Sequence, residues 1–388
     1  MISKKYLKLL LDLRNRNCLF DKILNKLKNY ANLENIYYSE FKTSEGKIPI
    51  ITLAKSLNPE DFRYVKMFVG AQHNEYNGLF GIIEFLNMLE KSILSLDEIL
   101  KDHSIIIMAP LMNPYGFLHP RKDNKSGYYL KNGANLNRFW RRTFAPEYKD
   151  GENDLINFKI PEHAKILKKI FDEFWKREEI QVYILDFHET SLLERFSEEL
   201  NNNLKIDLNT FKFSHWLKEG IIYNVMKLYD IKYTRKPLFY KSNPNSDYTH
   251  INLPIEQLNV VCKKLQEYIS TNKGKLQFYF CYSNRSKEFC KRLAQKIYNN
   301  LEDILWETNF PAFNHNFNNH GCFVNMNDAV IRKGVYSMEL ETQKHFFNIF
   351  DEIEKSKTEI DYFDKKIKIM NMSIRLVVES IKEMINLY

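Results

Sequence analysis

The chain has little cysteine for its length. It contains five cysteines among 388 residues, and no two of them form a Cys-x-x-Cys pair. An odd number of scattered cysteines provides neither a disulfide framework nor a thiolate metal site. We therefore expect a protein of a reducing compartment, whose fold depends on a hydrophobic core.

Long apolar segments are also absent. No stretch approaches the roughly 18 uncharged residues that a membrane helix needs. The apolar stretch near the N-terminus is interrupted by Lys8 and Asp12 and has no small-residue cleavage site, so it predicts an amphipathic helix and not a signal peptide. On this basis we expect a cytoplasmic protein; a periplasmic location would require a leader that has been removed.

Blocks of like charge are missing as well. The net charge is +8, but it is spread along the chain without runs of five or six like charges. This pattern argues against a nucleic-acid partner, although a basic surface would favour acidic substrates.

The chain does have the apolar content for a large core, with 44% hydrophobic and 14% aromatic residues. Short β-branched runs alternate with helical patterns, which predicts an α/β fold with a mixed, mostly parallel central sheet and helices on both faces. The predicted strands lie near 47–54, 64–70, 104–110, 181–187, 275–282 and 335–341, and the predicted helices near 78–95, 162–176, 285–300 and 361–386.

The domain organisation is harder to read. We expect one domain over residues 1–388, because no internal repeat or linker divides the chain. The Asn-rich stretch from about 192 to 330 shows few clear strands, and we expect an insertion or subdomain over 192–320.

Two predicted strands end in metal-ligating residues. The strand that ends at Val69 leads into a loop with Gln72, His73 and Glu75, and a later strand ends at His188. Because the carboxyl ends of neighbouring parallel strands meet at one edge of a sheet, such residues can converge on a metal with an open position for water.

Three further signatures accompany this pair. Asn113-Pro114-Tyr115-Gly116 follows the third strand, Gly133-Ala134-Asn135-Leu136-Asn137-Arg138 comes next, and Ser337 precedes Glu341 on a late strand. In this order the set resembles the zinc carboxypeptidase superfamily, which includes the succinylglutamate desuccinylases and aspartoacylases. The loop pattern Gly-x-Gln-x-x-Glu is also similar to the cell-wall carboxypeptidases of helical bacteria, which trim peptidoglycan.

The resemblance implies one Zn²⁺, but the chain departs from the family's His-x-x-Glu pattern. Gln72 stands where the ligand histidine is expected, and Asn135 replaces the aspartate that orients that histidine. The joint loss favours Gln72, Glu75 and His188 as ligands, with Gln72 binding through its amide oxygen. A one-residue deletion that makes His73 the ligand is the alternative.

The resemblance also implies the other roles. Glu341, four residues after Ser337, is the predicted general base, with Glu339 on the same strand face as the alternative. Arg121 is expected to polarise the scissile carbonyl, and Asn137 and Arg138 to bind the substrate carboxylate.

We thus expect a zinc-dependent metallocarboxypeptidase that hydrolyses a C-terminal peptide bond, with a muropeptide from peptidoglycan as the candidate substrate. An N-acyl amino acid deacylase of the aspartoacylase type and a catalytically silent peptide-binding member of the superfamily are the alternatives.

Overall fold

The computed structural model describes the greater part of the chain. The described residues are 16–100, 103–119, 129–144, 158–175, 177–190, 200, 212–214, 217–233, 237–241, 248–271, 275–276, 278–305, 312–314, 333–343 and 360–387. The amphipathic helix predicted near the N-terminus and Arg121 lie outside these residues.

Eight of the described strands form one large sheet. The described strands are β1 (Ile36–Thr43), β2 (Gly46–Leu53), β3 (Tyr64–Val69), β4 (Ser104–Ala109), β5 (Gln181–Thr190), β6 (Lys212–Ser214), β7 (Phe239–Tyr240), β8 (Tyr248–Ile251), β9 (Phe278–Tyr282), β10 (Ala312–Asn314) and β11 (Val335–Gln343). The order across the large sheet is β1-β2-β4-β3-β5-β11-β9-β10, and a smaller sheet has the order β6-β8-β7.

The large sheet is mixed, as the sequence predicts. β4, β3, β5 and β11 run parallel to one another in the centre, and β10 runs parallel to β9. The β1–β2, β2–β4 and β11–β9 pairings are antiparallel. As a result, the carboxyl ends of the three neighbouring strands β3, β5 and β11 meet at one edge.

The described helices flank the large sheet or pack beside the smaller one. They are α1 (Arg16–Asn29), α2 (Asn77–Glu90), α3 (Leu96–Ile99), α4 (Pro114–Leu118), α5 (Trp140–Phe144), α6 (Glu162–Trp175), α7 (Leu217–Leu228), α8 (Ile255–Thr271), α9 (Lys287–Leu301) and α10 (Ile360–Asn386). None of these described helices is long and apolar enough to cross a membrane.

Successive residues of the central strands contribute to two different cores, because side chains alternate between the faces of a sheet. Phe68 and Leu185 belong to the core with α1, α2, α9 and α10, whereas Met67 and Ile184 belong to the core with α5 and α6. This two-sided burial confirms the α/β fold class.

The smaller sheet has a core of its own. Strands β6 to β8 pair only with one another among the described residues, and α7 and α8 supply apolar residues such as Ile222 and Leu265. Strands β9 and β10 also fall within 192–320, but they pair in the large sheet. The separate unit that the structure describes is therefore narrower than the predicted insertion, whose bounds stay a prediction.

Helix α2 is the element that connects the sheet edge to the helical layer. Gly78 lies against Phe187 of β5, and Gly81 lies against Val377 of α10, so closely that a Cβ at either glycine would overlap its neighbour. Glycine therefore allows α2 to approach both partners. At the other end of α10, the buried Lys66 of β3 donates a hydrogen bond of 2.6 Å to the carbonyl of Ile385.

We predict that Gly81 and Val377 are energetically coupled. Gly81→Ala should destabilise the protein although alanine is the better helix former, because overpacking a buried contact costs about 1–3 kcal/mol. Val377→Ala in the same chain should restore space for the new methyl group. A double-mutant cycle in urea would measure the coupling, and additive effects within about 0.5 kcal/mol would contradict the close packing.

A second prediction concerns His163 of α6. Its side chain is buried and neither ring nitrogen has a hydrogen-bond partner among the described residues, and burial lowers its pKa to about 4 although Glu162 acts in the opposite direction. The unfolded chain therefore binds a proton that the folded chain does not between about pH 4 and 6.5. Stability should be fully present above pH 6.5 and fall as the pH drops toward 4.

His163→Leu should remove this part of the pH dependence, which we expect to be about 2–3 kcal/mol between pH 7 and pH 4.5. The exposed His119, changed to Gln, is the matched control. Urea unfolding at the two pH values measures the effect, and equal pH dependence in His163→Leu and the unmodified protein would contradict the assignment.

Candidate metal centre

Three metal-ligating side chains converge at the sheet edge formed by β3 and β5. His73 and Glu75 come from the loop between β3 and α2, and His188 lies near the end of β5. All three are buried, and one ligand atom from each lies within 4.8 Å of the others. The Nδ1 atoms of His188 and His73 lie 2.7 Å and 3.5 Å from the same oxygen of Glu75, Oε2.

The side chain of Asn135 holds one of the two ring nitrogens of His73. Asn135 Oδ1 accepts the backbone N–H of Asn137 at 2.9 Å, which identifies the atom as the amide oxygen. The same oxygen lies 2.8 Å from His73 Nε2, so this nitrogen must donate. Asn135 thus occupies Nε2, and Nδ1 is the nitrogen of His73 that faces Glu75 and could bind a metal.

His188 lies between two carboxylates. Its Nδ1 is 2.7 Å from Glu75 Oε2, and its Nε2 is 2.8 Å from Asp186 Oδ2. Burial alone would lower the pKa of His188, but the charges of Asp186 and Glu75 outweigh burial and raise that pKa well above its usual value. The imidazole of the metal-free protein is thus protonated, and its Nδ1 proton occupies the side on which a metal would bind.

Glu75 responds in the opposite direction. Burial alone would raise its pKa, but His188 and then His73 outweigh burial and hold the pKa of Glu75 well below the usual range. The carboxylate is therefore ionised, which is the form that binds a cation. Two imidazole nitrogens and one carboxylate oxygen are a donor set of catalytic zinc sites, so the residues present fit a zinc ion.

Gln72, the ligand preferred from the sequence, is engaged elsewhere. Its Oε1 accepts a hydrogen bond of 2.6 Å from the indole of Trp140, and its Nε2 donates to Asp186 Oδ2 at 2.5 Å. The amide oxygen that would bind a metal is thus bonded to an indole, whereas His73 stands with Glu75 and His188. The structure places the alternative ligand of the sequence analysis, His73, in the cluster.

The loop of residues 70–76, called the ligand loop here, is held to β5 and β11 where it joins α2. The backbone N–H of Asn77 donates to Glu189 Oε1 at 2.6 Å, and Asn77 Nδ2 donates to Thr342 Oγ1 at 2.8 Å. Thr342 in turn donates to the carbonyl oxygen of His188 at 3.1 Å. At the start of the loop, Ala71 has a φ of +47°, a left-handed conformation that is uncommon for residues other than glycine.

Of the predicted substrate-binding residues, Asn137 contacts this cluster directly. The Asn137 amide donates to Glu339 Oε1 at 3.3 Å, and its nitrogen lies 3.2 Å from His188 Nε2. Arg138 is half-buried and donates to the carbonyl of Asn137. Arg121, predicted to polarise the substrate carbonyl, falls outside the described residues.

The two candidate bases occupy successive positions on one face of β11. Glu339 pairs in register with Asp186 and is buried, whereas Glu341 pairs with His188 and is half-buried. Burial raises the pKa of Glu339, and the nearby Asp186 acts in the same direction while His188 opposes it. Glu341 is the residue nearer to the carboxyl edge of the sheet.

Sequence reasoning missed Asp186 and Trp140 as parts of the site. Asp186 precedes His188 by two positions on a strand, and this spacing alone indicates a shared sheet face. Trp140 carried no comparable signal, because its contact with Gln72 spans 68 positions of the chain.

Comparisons with known proteins give structural matches only. No protein-family model matches the chain, and no curated protein is significantly similar to it in sequence. A metallo-carboxypeptidase from Pseudomonas aeruginosa, solved with (2-guanidinoethylmercapto)succinic acid, matches with a TM-score of 0.48 at 11% identity, covering 94% of this chain and 67% of that one.

Two further solved structures are similar to a comparable degree. Carboxypeptidase A from Helicoverpa armigera has a TM-score of 0.44 at 12% identity, with 93% of this chain and 72% of that chain covered. Bovine thrombin-activatable fibrinolysis inhibitor has a TM-score of 0.46 at 10% identity, with 94% and 96% covered.

We predict that His73→Ala lowers the affinity of the protein for zinc by more than about a hundredfold, because it removes a nitrogen donor from the cluster. Gln72→Ala should have a smaller effect. Competition with a chromophoric chelator measures both affinities. His103→Asn is the control, because His103 precedes β4 and lies at the end of the sheet away from the cluster. Loss of zinc in Gln72→Ala with retention in His73→Ala would contradict this arrangement.

Proposed function

We propose that this protein is a zinc-dependent metallopeptidase of the carboxypeptidase type. The observation that carries the proposal is the convergence of His73, Glu75 and His188 at the carboxyl edge of β3 and β5. The sequence resemblance and the structural matches agree with it. We assign the third ligand position to His73 because its Nδ1 is directed to Glu75 and its Nε2 is held by Asn135.

Zinc in this site would act as a Lewis acid on the scissile carbonyl and lower the pKa of the attacking water. Asn135 and Asp186 orient the two histidines through the ring nitrogens that face away from Glu75. The ligand loop is held in place by Asn77, whose bonds to β5 and β11 keep His73 and Glu75 facing His188.

We assign the general base to Glu341. A base must reach both the attacking water and the leaving group, and Glu341 is the half-buried carboxylate nearer to the open edge of the sheet. It would take a proton from the water and deliver it to the leaving amine. Glu339 lies two residues earlier on the strand and is buried, with Asp186 and His188 as its neighbours.

The substrate we propose is a peptide with a free C-terminal carboxylate. Asn137 contacts His188, Arg138 is the next residue, and a guanidinium group binds a carboxylate through two parallel hydrogen bonds. Arg121 would add a second positive charge at the carbonyl, as the sequence resemblance implies. The similarity to cell-wall carboxypeptidases makes tri- and tetrapeptide stems of peptidoglycan the first substrates to test.

We predict that the zinc-loaded protein releases the C-terminal amino acid from peptides and spares the same peptides when their C-terminus is amidated. Product analysis by mass spectrometry on stem peptides, ordinary peptides and N-acyl amino acids separates the candidate activities. Cleavage of N-acyl aspartate or N-succinyl glutamate alone would replace the proposal with a deacylase. Zinc binding without any hydrolysis would indicate a binding protein.

Glu341→Gln should lower kcat by about 10²–10⁴-fold with little change in zinc affinity, because the variant keeps the metal ligands and loses the proton acceptor. Glu178→Gln, on an exposed loop, is the control for a charge change elsewhere. If Glu339→Gln abolishes turnover while Glu341→Gln preserves it, the base is Glu339.

A further inference from the structure

We infer that Asp186 is a positioning residue for His188, and that Gln72 and Trp140 hold Asp186 in place. The inference rests on the proposed function, because it concerns a metal bound at His188. It assigns a role to the glutamine that stands where the sequence resemblance expects a metal ligand.

A buried chain of hydrogen bonds connects the four side chains. The indole Nε1 of Trp140 lies 2.6 Å from Gln72 Oε1, Gln72 Nε2 lies 2.5 Å from Asp186 Oδ2, and His188 Nε2 lies 2.8 Å from the same oxygen. Trp140, Gln72 and Asp186 are at most 1% exposed. At such burial each of these polar groups depends on its protein partner.

The direction of each bond follows from the chemistry of the groups. An indole nitrogen can only donate, so the atom of Gln72 that faces Trp140 is the oxygen. Gln72 Nε2 then faces Asp186 and donates to it. A carboxylate can only accept, so His188 donates from Nε2. This arrangement leaves Nδ1, which faces Glu75, as the nitrogen available to a metal.

The chain also explains why a carboxylate is tolerated at this depth. Asp186 lies two residues before His188 on the same face of β5 and has no exposed surface. Its Oδ2 accepts hydrogen bonds from both Gln72 and His188, which replace the water that this oxygen loses on burial. A carboxylate bound to the outer nitrogen of a ligand histidine fixes the ring and increases its basicity as a metal ligand.

The departure of the ligand loop from the family pattern then has a physical explanation. Position 72 supplies a neutral amide that donates to Asp186 and accepts from Trp140, so both polar atoms of this side chain are used in the hydrogen-bond chain. The adjacent His73 enters the ligand cluster instead, and Asn135 accepts its outer N–H.

A cation held directly by Asp186 is the competing interpretation. Asp186, His188 and Glu339 each offer a ligand atom within 4.8 Å of the others, and Asp186 Oδ1 has no hydrogen-bond partner among the described residues. In that arrangement Asp186 would be a metal ligand. The number of metal ions bound distinguishes the two interpretations.

The test compares the unmodified protein with the variants Asp186→Asn, Gln72→Leu and Trp140→Phe. Zinc affinity and zinc stoichiometry are measured for each protein, together with the visible spectrum of its cobalt-loaded form. We expect one zinc per chain throughout, an affinity about 10–100-fold lower in Asp186→Asn, and an altered cobalt spectrum in that variant. Gln72→Leu and Trp140→Phe should lower the affinity by a smaller factor of about two to ten, because Gln72→Leu removes two of these hydrogen bonds and Trp140→Phe removes one, while the bond between Asp186 and His188 remains.

Tyr30→Phe is the matched control. It removes buried hydrogen bonds to Asn87 and Ile83 and leaves the hydrogen bonds among Trp140, Gln72, Asp186 and His188 in place. It should lose stability without a change in zinc affinity or in the cobalt spectrum. Should Asp186→Asn fail to fold, Trp140→Phe still tests the chain, because it keeps an aromatic side chain in the core.

Three results would overturn the inference. Affinity and spectrum in Asp186→Asn and Trp140→Phe equal to those of the unmodified protein would make the hydrogen bonds purely structural. Two zinc ions in the unmodified protein, with one lost in Asp186→Asn, would make Asp186 a ligand. Absence of zinc binding in the unmodified protein would overturn the proposed function as well, whereas the first two results leave that proposal standing.

Discussion

The imidazole of His188, held between two buried carboxylates, is the interaction on which the rest of the site depends. Glu75 and Asp186 contact its two nitrogens at 2.7 Å and 2.8 Å, and each carboxylate comes from a different segment of the central edge. Neither carboxylate would be stable at this depth without a donor. The charges of the loop and of strand β5 therefore meet at His188, and a metal bound in place of the Nδ1 proton would supply positive charge to the same carboxylates.

The parallel centre of the sheet makes this interaction possible. β3, β5 and β11 end at the same edge, so residues far apart in sequence arrive together: the loop after Val69, His188 on β5 and the two glutamates of β11. Gly78 and Gly81 allow α2, which follows the loop, to pack closely against Phe187 and α10. The scaffold thus positions the ligands before any metal binds, which limits the reorganisation that binding requires.

Much of the fold was predictable from the sequence, because buried strands and amphipathic helices have distinct hydrophobic patterns. The strands that end in Val69 and near His188, and the helices 78–95 and 285–300, follow from those patterns. The choice between Gln72 and His73 as the candidate metal ligand did not follow from those patterns. Spacing places both in one polar loop, and the choice between them depends on Trp140 and Asn135, which reach the loop only through tertiary packing.

The central claim is that two imidazoles and one carboxylate hold a single zinc ion. X-ray absorption spectroscopy of the zinc-loaded protein tests it most directly, because imidazole rings give a characteristic multiple-scattering pattern whose strength reports their number. We predict two imidazoles per zinc, at the distances of about 2.0–2.1 Å that zinc–nitrogen bonds have. A single imidazole with oxygen donors in the remaining positions would contradict the account and return Gln72 to the metal.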